Sequence, residues 1–224
     1  MLILAILLSA VLSYLLGSFN SSILVVRLLK HKDIRDYGSH NAGLTNTLRC
    51  FGKGPAALTL LGDLGKGIVA VLLSREICVL LGTGLTAQND VHFIGYIAGI
   101  FAILGHVFPI FYHFKGGKGV LVGVSVFLGI DWKVFLCLIA IFIVVLAISR
   151  YVSLGSIIAA ACCPVITFLF QYLQRDGLPM WYLWLNTGLA ALMAAWVIWM
   201  HRTNIQRLKA GNENKFSFHK SSHS

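Results

Sequence analysis

The sequence predicts an all-α fold: a polytopic membrane helix bundle of seven transmembrane helices, N-terminus outside and C-terminus cytoplasmic. Three observations predict it. Of 224 residues, 58% are hydrophobic and only 12% charged, whereas a soluble domain has roughly half and about a quarter. Apolar runs recur near the roughly 20 residues that cross a bilayer's hydrocarbon core. Lys and Arg are shared unequally between alternate loops, the asymmetry that membrane topology imposes. This composition excludes disordered, collagen-like and disulfide-scaffold classes. The length fits a single integral membrane domain over 1–224 whose last stretch, 210–224, is a polar tail.

The first apolar run, Leu2–Val26, has no basic segment before it and no small-residue cleavage site after it, so it reads as a retained span rather than a signal peptide. Pro55–Leu73 and Phe93–Phe114 follow. Between Lys118 and Arg150 the apolar stretch is interrupted by Gly129-Ile130-Asp131-Trp132-Lys133, which reads as a turn at the far surface. That leaves a short span at Val120–Ile130 and another at Val134–Ser149. Leu154–Leu173 and Tyr182–Met200 complete seven. With this count, fourteen Lys and Arg fall on one side, in the loops that hold Arg27 to Lys53, Lys115 with Lys118, Arg150, and Arg202 to Lys220. Only Arg75, Lys133 and Arg175 fall on the other, and Lys66 lies within a span. The rich side is therefore assigned to the cytoplasm. The net charge of +10 is this loop asymmetry and does not imply a nucleic-acid partner. Cys50, Cys78, Cys137, Cys162 and Cys163 form no CxxC and no metal-ligand spacing, and read as packing residues.

The inner loops carry the chemistry. One holds Gly38-Ser39-His40-Asn41-Ala42-Gly43-Leu44-Thr45-Asn46-Thr47-Leu48-Arg49, a dense run of small hydroxyl and amide residues. Another is Phe114-Lys115-Gly116-Gly117-Lys118-Gly119, whose glycines allow backbone N–H groups to converge on an anion ahead of a helix N-terminus. It is no Walker A loop, because Gly119 stands where a hydroxyl is required. The third contains Ser153 and Ser156, and the fourth His201 and Asn204, three apart on one helical face. Four such loops at one interface describe a site for a phosphorylated molecule.

Asp63 and Lys66, also three apart, are intramembrane charges expected to neutralise each other. His106, beside Gly105 and Pro109, reads as a buried structural histidine; His92, His219 and His223 carry no signal. His31-Lys32-Asp33-Ile34-Arg35-Asp36 matches the HxxxxD pattern of a class of glycerolipid acyltransferases, but the Glu-Gly motif of those enzymes is missing: neither Glu76 nor Glu213 precedes a glycine. The match is read as an accident.

Three stretches resemble the membrane acyl-phosphate:glycerol-3-phosphate acyltransferases called PlsY: Asp33-Ile34-Arg35 with Gly38–Arg49, Gly105-His106-Val107-Phe108-Pro109 with Phe114–Val120, and Ser153-Leu154-Gly155-Ser156. His201–Leu208 is similar to that family's C-terminal signature, and Asp63 with Lys66-Gly67 to its second span. The resemblance implies a multi-pass enzyme of the bacterial inner membrane with its site on the cytoplasmic face. It would move a fatty acyl group from acyl phosphate to the 1-hydroxyl of sn-glycerol 3-phosphate, giving lysophosphatidate and phosphate, without cofactor or metal. Its partners would be those two substrates and the lipid bilayer. Carried onto this sequence, the likeness implies catalytic roles for Ser39, Arg49, Lys118, Ser156, His201 and Asn204. It implies phosphate contacts from Asn41, Thr45, Asn46, Lys115 and Ser153, and a backbone phosphate hole from Gly116, Gly117 and Gly119. Which lysine meets which phosphate stays open, as does the choice of His201 or a substrate phosphate oxygen as base.

The chain departs from the family pattern at Phe19-Asn20 after Gly17-Ser18, at Leu121-Val122, at His40 in place of a usual glycine and at Leu44 in place of a usual alanine. A transporter for a phosphorylated anion is the rival reading; it requires deep polar groups and broken helices, and only Asp63 and Lys66 lie deep.

Overall fold

The computed structural model describes residues 1–84, 92–174 and 177–216, and these are helices joined by turns. Arg175, His219, Lys220 and His223 lie outside them. Ten α-helices are described: α1 Leu2–Ser18, α2 Ser21–Lys30, α3 Leu44–Phe51, α4 Lys53–Leu80, α5 His92–Val107, α6 Val120–Ile130, α7 Trp132–Ser149, α8 Val152–Leu173, α9 Met180–Met200 and α10 Arg202–Lys209. Counting α1 and α2 as one run, six helices among the described residues are long and apolar enough to cross a membrane. The seventh expected span, α6, has 11 residues and rises only about 16 Å. By length it falls short of the roughly 30 Å hydrocarbon core.

Several boundaries differ from the sequence reading for identifiable reasons. The first run breaks at Phe19-Asn20, where the Asn20 side chain accepts from the Ile23 N–H and caps α2 as a new helix. α4 continues to Leu80, so Arg75 lies in its last turns rather than in a loop. α5 ends at Val107 because Pro109 follows; proline removes a donor and pushes the residue before it out of helical conformation. A 3₁₀ turn at Ile110–Tyr112 then leads into the glycine segment.

Small residues bring the helices together. α1 packs on α4 and α5, α4 on α6, α7 on α8, and α8 on α9. A Cβ at Gly17 would strike the Ala102 backbone, and one at Gly105 the Tyr14 backbone, so both glycines permit the close α1–α5 approach. Val71, Tyr96, Ala102, Val122, Val126 and Ala190 form the centre of the core. Large apolar side chains point outward instead along α1, α7 and α8, among them Leu7, Val11, Ile143, Ile148 and Val165. That outward face suits lipid. The five cysteines are free thiols.

Candidate active site

The four polar loops meet at one end of the bundle around a cavity of about 470 Å³. Ser39, Asn41, Thr45, Asn46 and Arg49 line it from the first loop and α3. Gly116, Gly117, Lys118 and Gly119 line a second wall, Ser153 and Ser156 a third, and His201 and Asn204 a fourth. Of the fourteen residues singled out from the sequence, only Lys115 is absent from the lining. Its side chain is exposed, and its backbone carbonyl accepts from Arg35 Nη1 at 3.1 Å. The cavity also has an apolar side formed by Leu121 and Val124 of α6, Leu138, Ile139 and Phe142 of α7, and Ala159 of α8.

The first loop is held by side chains that the sequence pattern assigns to substrate or leaves unassigned. Asn46 is 1% exposed, and its Oδ1 accepts from the Ser39 N–H at 3.0 Å. Its Nδ2 donates to the carbonyls of Tyr37 at 2.9 Å and Asn41 at 3.1 Å. With its amide so committed, Asn46 shapes the loop that presents Ser39 and cannot donate freely to phosphate. Arg35 forks onto Asp33, Nε to Oδ1 at 2.9 Å and Nη2 to Oδ2 at 2.7 Å, and donates through Nη1 to the Tyr112 carbonyl. It thereby ties the first loop to the second. The Arg35 guanidinium, with the Arg35 backbone N–H and Arg27, outweighs burial and holds the Asp33 carboxyl well below the usual carboxylate range. His40 keeps φ at 58°, a left-handed conformation that glycine adopts at no steric cost, which accounts for the glycine of the family pattern. His31 and Asp36, the HxxxxD pair, are exposed and outside the cavity lining.

The glycine segment differs from the expected phosphate hole. The Gly116 N–H donates to the Val107 carbonyl at 3.0 Å and the Gly117 N–H to the His106 carbonyl at 3.1 Å. Both donors are thus turned onto the end of α5. Their lack of a side chain serves close packing: a Cβ at Gly116 would strike the His106 carbonyl and Pro109, and one at Gly117 the His106 ring and the Ala42 carbonyl. A Cβ at Gly119 would meet Ile103, a turn further back along α5. The segment therefore runs back beside the last turn of α5, and α6 starts inside the bundle, which is why α6 is short. The Lys118 and Gly119 N–H groups have no acceptor among the described residues and lie at the start of α6. They are the backbone donors available to an anion.

A side-chain network closes the opposite wall. Lys118 Nζ donates to Asn204 Oδ1. Asn204 Nδ2 donates to Glu213 Oε1 at 2.7 Å, Ser153 Oγ donates to the same oxygen at 2.8 Å, and Arg207 Nε donates to Glu213 Oε2 at 2.7 Å. The Phe216 N–H donates to the Arg150 carbonyl at 2.7 Å, so the chain beyond α10 is strapped across this end of the cavity. Burial raises the Glu213 pKa, but the bonds from Arg207, Asn204 and Ser153 outweigh it and leave the carboxyl below its ordinary value. Burial, helped by the Arg207 charge, brings Lys118 down to about 8. Burial and the Lys118 charge bring His201 down to about 4 against the Val197 contact and Glu213. His201 is 3% exposed, and its Nδ1 lies 2.8 Å from the Val197 carbonyl. A carbonyl can only accept, so Nδ1 carries the proton and Nε2 is left as the acceptor.

Sequence reasoning missed Glu213, Asp63 and His106 as wall residues. Glu213 lies in the polar tail with no periodic signal. The other two reach the cavity only because α4 and α5 pack beneath the glycine segment.

A helical membrane bundle with an anion-ready polar wall and an apolar wall in one cavity defines a class of protein that works on an amphiphilic phosphorylated molecule at the bilayer. Comparison identifies the particular group. Residues 7–211 match the family model of glycerol-3-phosphate acyltransferase. The chain is 41% identical over 205 residues to glycerol-3-phosphate acyltransferase of Prochlorococcus marinus (strain MIT 9312), covering 92% of this chain and 94% of that one. It is 39% identical over 206 residues to that of Clostridioides difficile (strain 630), covering 92% and 93%. The crystal structure of PlsY, an integral membrane glycerol 3-phosphate acyltransferase, in its glycerol 3-phosphate form superimposes with a TM-score of 0.78 at 31% identity, covering 95% of this chain and 96% of that one. The lysophosphatidic acid form gives 0.74 at 29% identity, covering 95% of each. The chain belongs to the glycerol-3-phosphate acyltransferase family, PlsY type, and is a membrane acyltransferase.

Proposed function

We propose that this chain transfers a fatty acyl group from acyl phosphate to the 1-hydroxyl of sn-glycerol 3-phosphate, releasing lysophosphatidate and inorganic phosphate. The observation that carries this reading is the two-sided cavity. Ser39, Arg49, Lys118 and His201 form a polar wall, continuous with an apolar wall of Leu121, Val124, Ile139 and Phe142. Both substrates carry phosphate, and one carries an acyl chain; each wall fits one part of that pair.

Arg49 and Lys118 hold phosphate, supplemented by the Lys118 and Gly119 N–H groups and the Ser39 and Thr45 hydroxyls. Charge-assisted bonds of this kind are the stronger hydrogen bonds available to a protein. The 1-hydroxyl oxygen of glycerol 3-phosphate attacks the acyl carbonyl carbon, the bond from that carbon to the phosphate oxygen breaks, and phosphate leaves with the electron pair. An acyl phosphate already has a good leaving group, so attack is direct and positioning supplies most of the acceleration. His201 is neutral at pH 7 and offers Nε2 to the attacking hydroxyl as an acceptor. With its pKa near 4 it is a weak base, so the proton's final resting place is a phosphate oxygen. Asn204 and Ser153 orient Lys118 and Glu213, and Ser156, whose hydroxyl donates to the Val152 carbonyl, accepts from substrate.

The topology follows the same reading: seven crossings with α6 as a shortened fourth, N-terminus outside, cavity facing the cytoplasm of a bacterial inner membrane. Its support is that the loops gathered at the cavity are the Lys- and Arg-rich set. Purified protein in detergent, given palmitoyl phosphate and glycerol 3-phosphate with palmitoyl-CoA as the parallel donor, tests the reaction. Lysophosphatidate and phosphate from acyl phosphate alone are expected. Turnover only with the thioester would overturn the donor assignment, and no turnover with either donor would favour an anion transporter.

A further inference from the structure

Beneath the glycine segment lies a buried cluster that the reaction scheme has not used. Lys66 Nζ on α4 donates to the carbonyls of Gly17 at 3.1 Å and Phe19 at 3.2 Å, at the α1–α2 break. Its third contact is His106 Nδ1 on α5 at 2.9 Å, and Asp63 Oδ1 pairs with it at 3.0 Å. The other partners of Lys66 Nζ are two carbonyls and a carboxylate, which can only accept, so the amine is the donor throughout this cluster. His106 Nδ1 is therefore the acceptor, and the ring hydrogen is on Nε2. That nitrogen is on the side of the ring against Gly117, His106 lines the cavity, and Nε2 has no acceptor among the described residues. His106 is 4% exposed, so the donor faces the cavity rather than bulk water.

We propose that His106 is a further substrate-contacting residue, donating from Nε2–H to a phosphoryl or acyl oxygen at the cavity floor, with Lys66 as the positioning residue that fixes its tautomer. The proposal rests on the acyl-transfer reading above. An unpaired N–H in a nearly buried position is costly unless a ligand satisfies it. A neutral donor also suits this position: Lys66 and Lys118 already supply charge, whereas Nε2–H adds direction.

Two amide substitutions separate the contact from the scaffold. His106→Asn keeps an acceptor near Nδ1 for Lys66 and removes the Nε2 donor; His106→Gln extends an amide donor towards the Nε2 position. The expected result is a fall in kcat/KM of about 10- to 100-fold for His106→Asn, partial recovery in His106→Gln, and similar melting temperatures for both. In parallel, ¹⁵N-histidine spectra of the wild-type protein, with the His106 signals assigned by their loss in His106→Gln, should show the Nε2–H tautomer and a shift of Nε2 on adding glycerol 3-phosphate or palmitoyl phosphate. Activity of His106→Asn within twofold of wild type, or a proton on Nδ1, would overturn the proposal. If the wild type failed to turn over acyl phosphate, the reaction assignment would fall instead, and a silent Nε2 on adding each substrate would still decide against the contact. If neither variant folds, the His106 signals are assigned instead by single substitution of the other histidines, and those spectra decide between contact and no contact.

Discussion

Two polar clusters in this protein each hold a lysine and a carboxylate, at different depths. The outer one joins Lys118, Asn204, Ser153, Arg207 and Glu213 from the glycine segment, α8, α10 and the tail, with partners up to 86 residues apart. The inner one joins Asp63, Lys66 and His106 inside the bundle, where all three are buried. In the outer cluster each charge borders the cavity, so a substrate phosphate can share its donors. The inner charges have no water to fall back on, and their first duty is to neutralise one another. Depth separates the two, and His106 is where the inner frame reaches the binding surface.

The comparison is broken most severely at its inner half. Lys66→Met leaves Asp63 buried without its cation, and stability should fall by about 3–5 kcal/mol, read as loss of folded protein in a detergent melt. Adding Asp63→Asn should recover part of that, because the stranded charge is removed. Outer substitutions should instead leave the fold and damage turnover. Arg49→Ala and Lys118→Ala should each lower kcat/KM for glycerol 3-phosphate by about 10- to 100-fold, with melting temperatures near wild type.

Glu213→Gln tests the strap between these extremes, with a stability loss of about 1–3 kcal/mol expected at pH 7. The Glu213 pKa is held down in the fold, so its contribution is present above the ordinary glutamate value and disappears as pH falls through the lowered one. Melts of wild type and variant should therefore converge in acid. A smaller effect is expected from Lys118, whose pKa near 8 means its charge is present below that pH and lost above it. The KM for glycerol 3-phosphate should rise as pH increases through about 8, and Lys118→Arg should flatten that rise, since arginine keeps its charge. The smallest effect belongs to His31→Ala and Asp36→Ala: both are exposed and outside the cavity, and activity should stay within twofold of wild type.

The glycine segment shows how far the sequence could be read. Three glycines around two lysines marked a segment of which Gly116, Gly117, Lys118 and Gly119 line the cavity, yet pattern alone could not say where their N–H groups point. Packing against α5 turned Gly116 and Gly117 inward and left Lys118 and Gly119 as the open donors. Asn46 was legible as a polar residue in the right loop, but its knot onto Tyr37, Asn41 and Ser39 depends on how that loop folds over itself. Lys115 and Lys118 are equivalent by composition; the 3₁₀ turn before them aims one outward and draws the other beside Asn204.

Hydropathy runs and charge asymmetry by themselves determined that this chain is a helical membrane protein and which loops share a side, because burying apolar length and excluding charge from hydrocarbon act residue by residue along the chain. The short α6, the inward glycines, the Glu213 strap and the arrival of His106 at the cavity floor were decided only in three dimensions. Each depends on contacts between distant helices, where the space left by one backbone fixes which hydrogen bonds another can make.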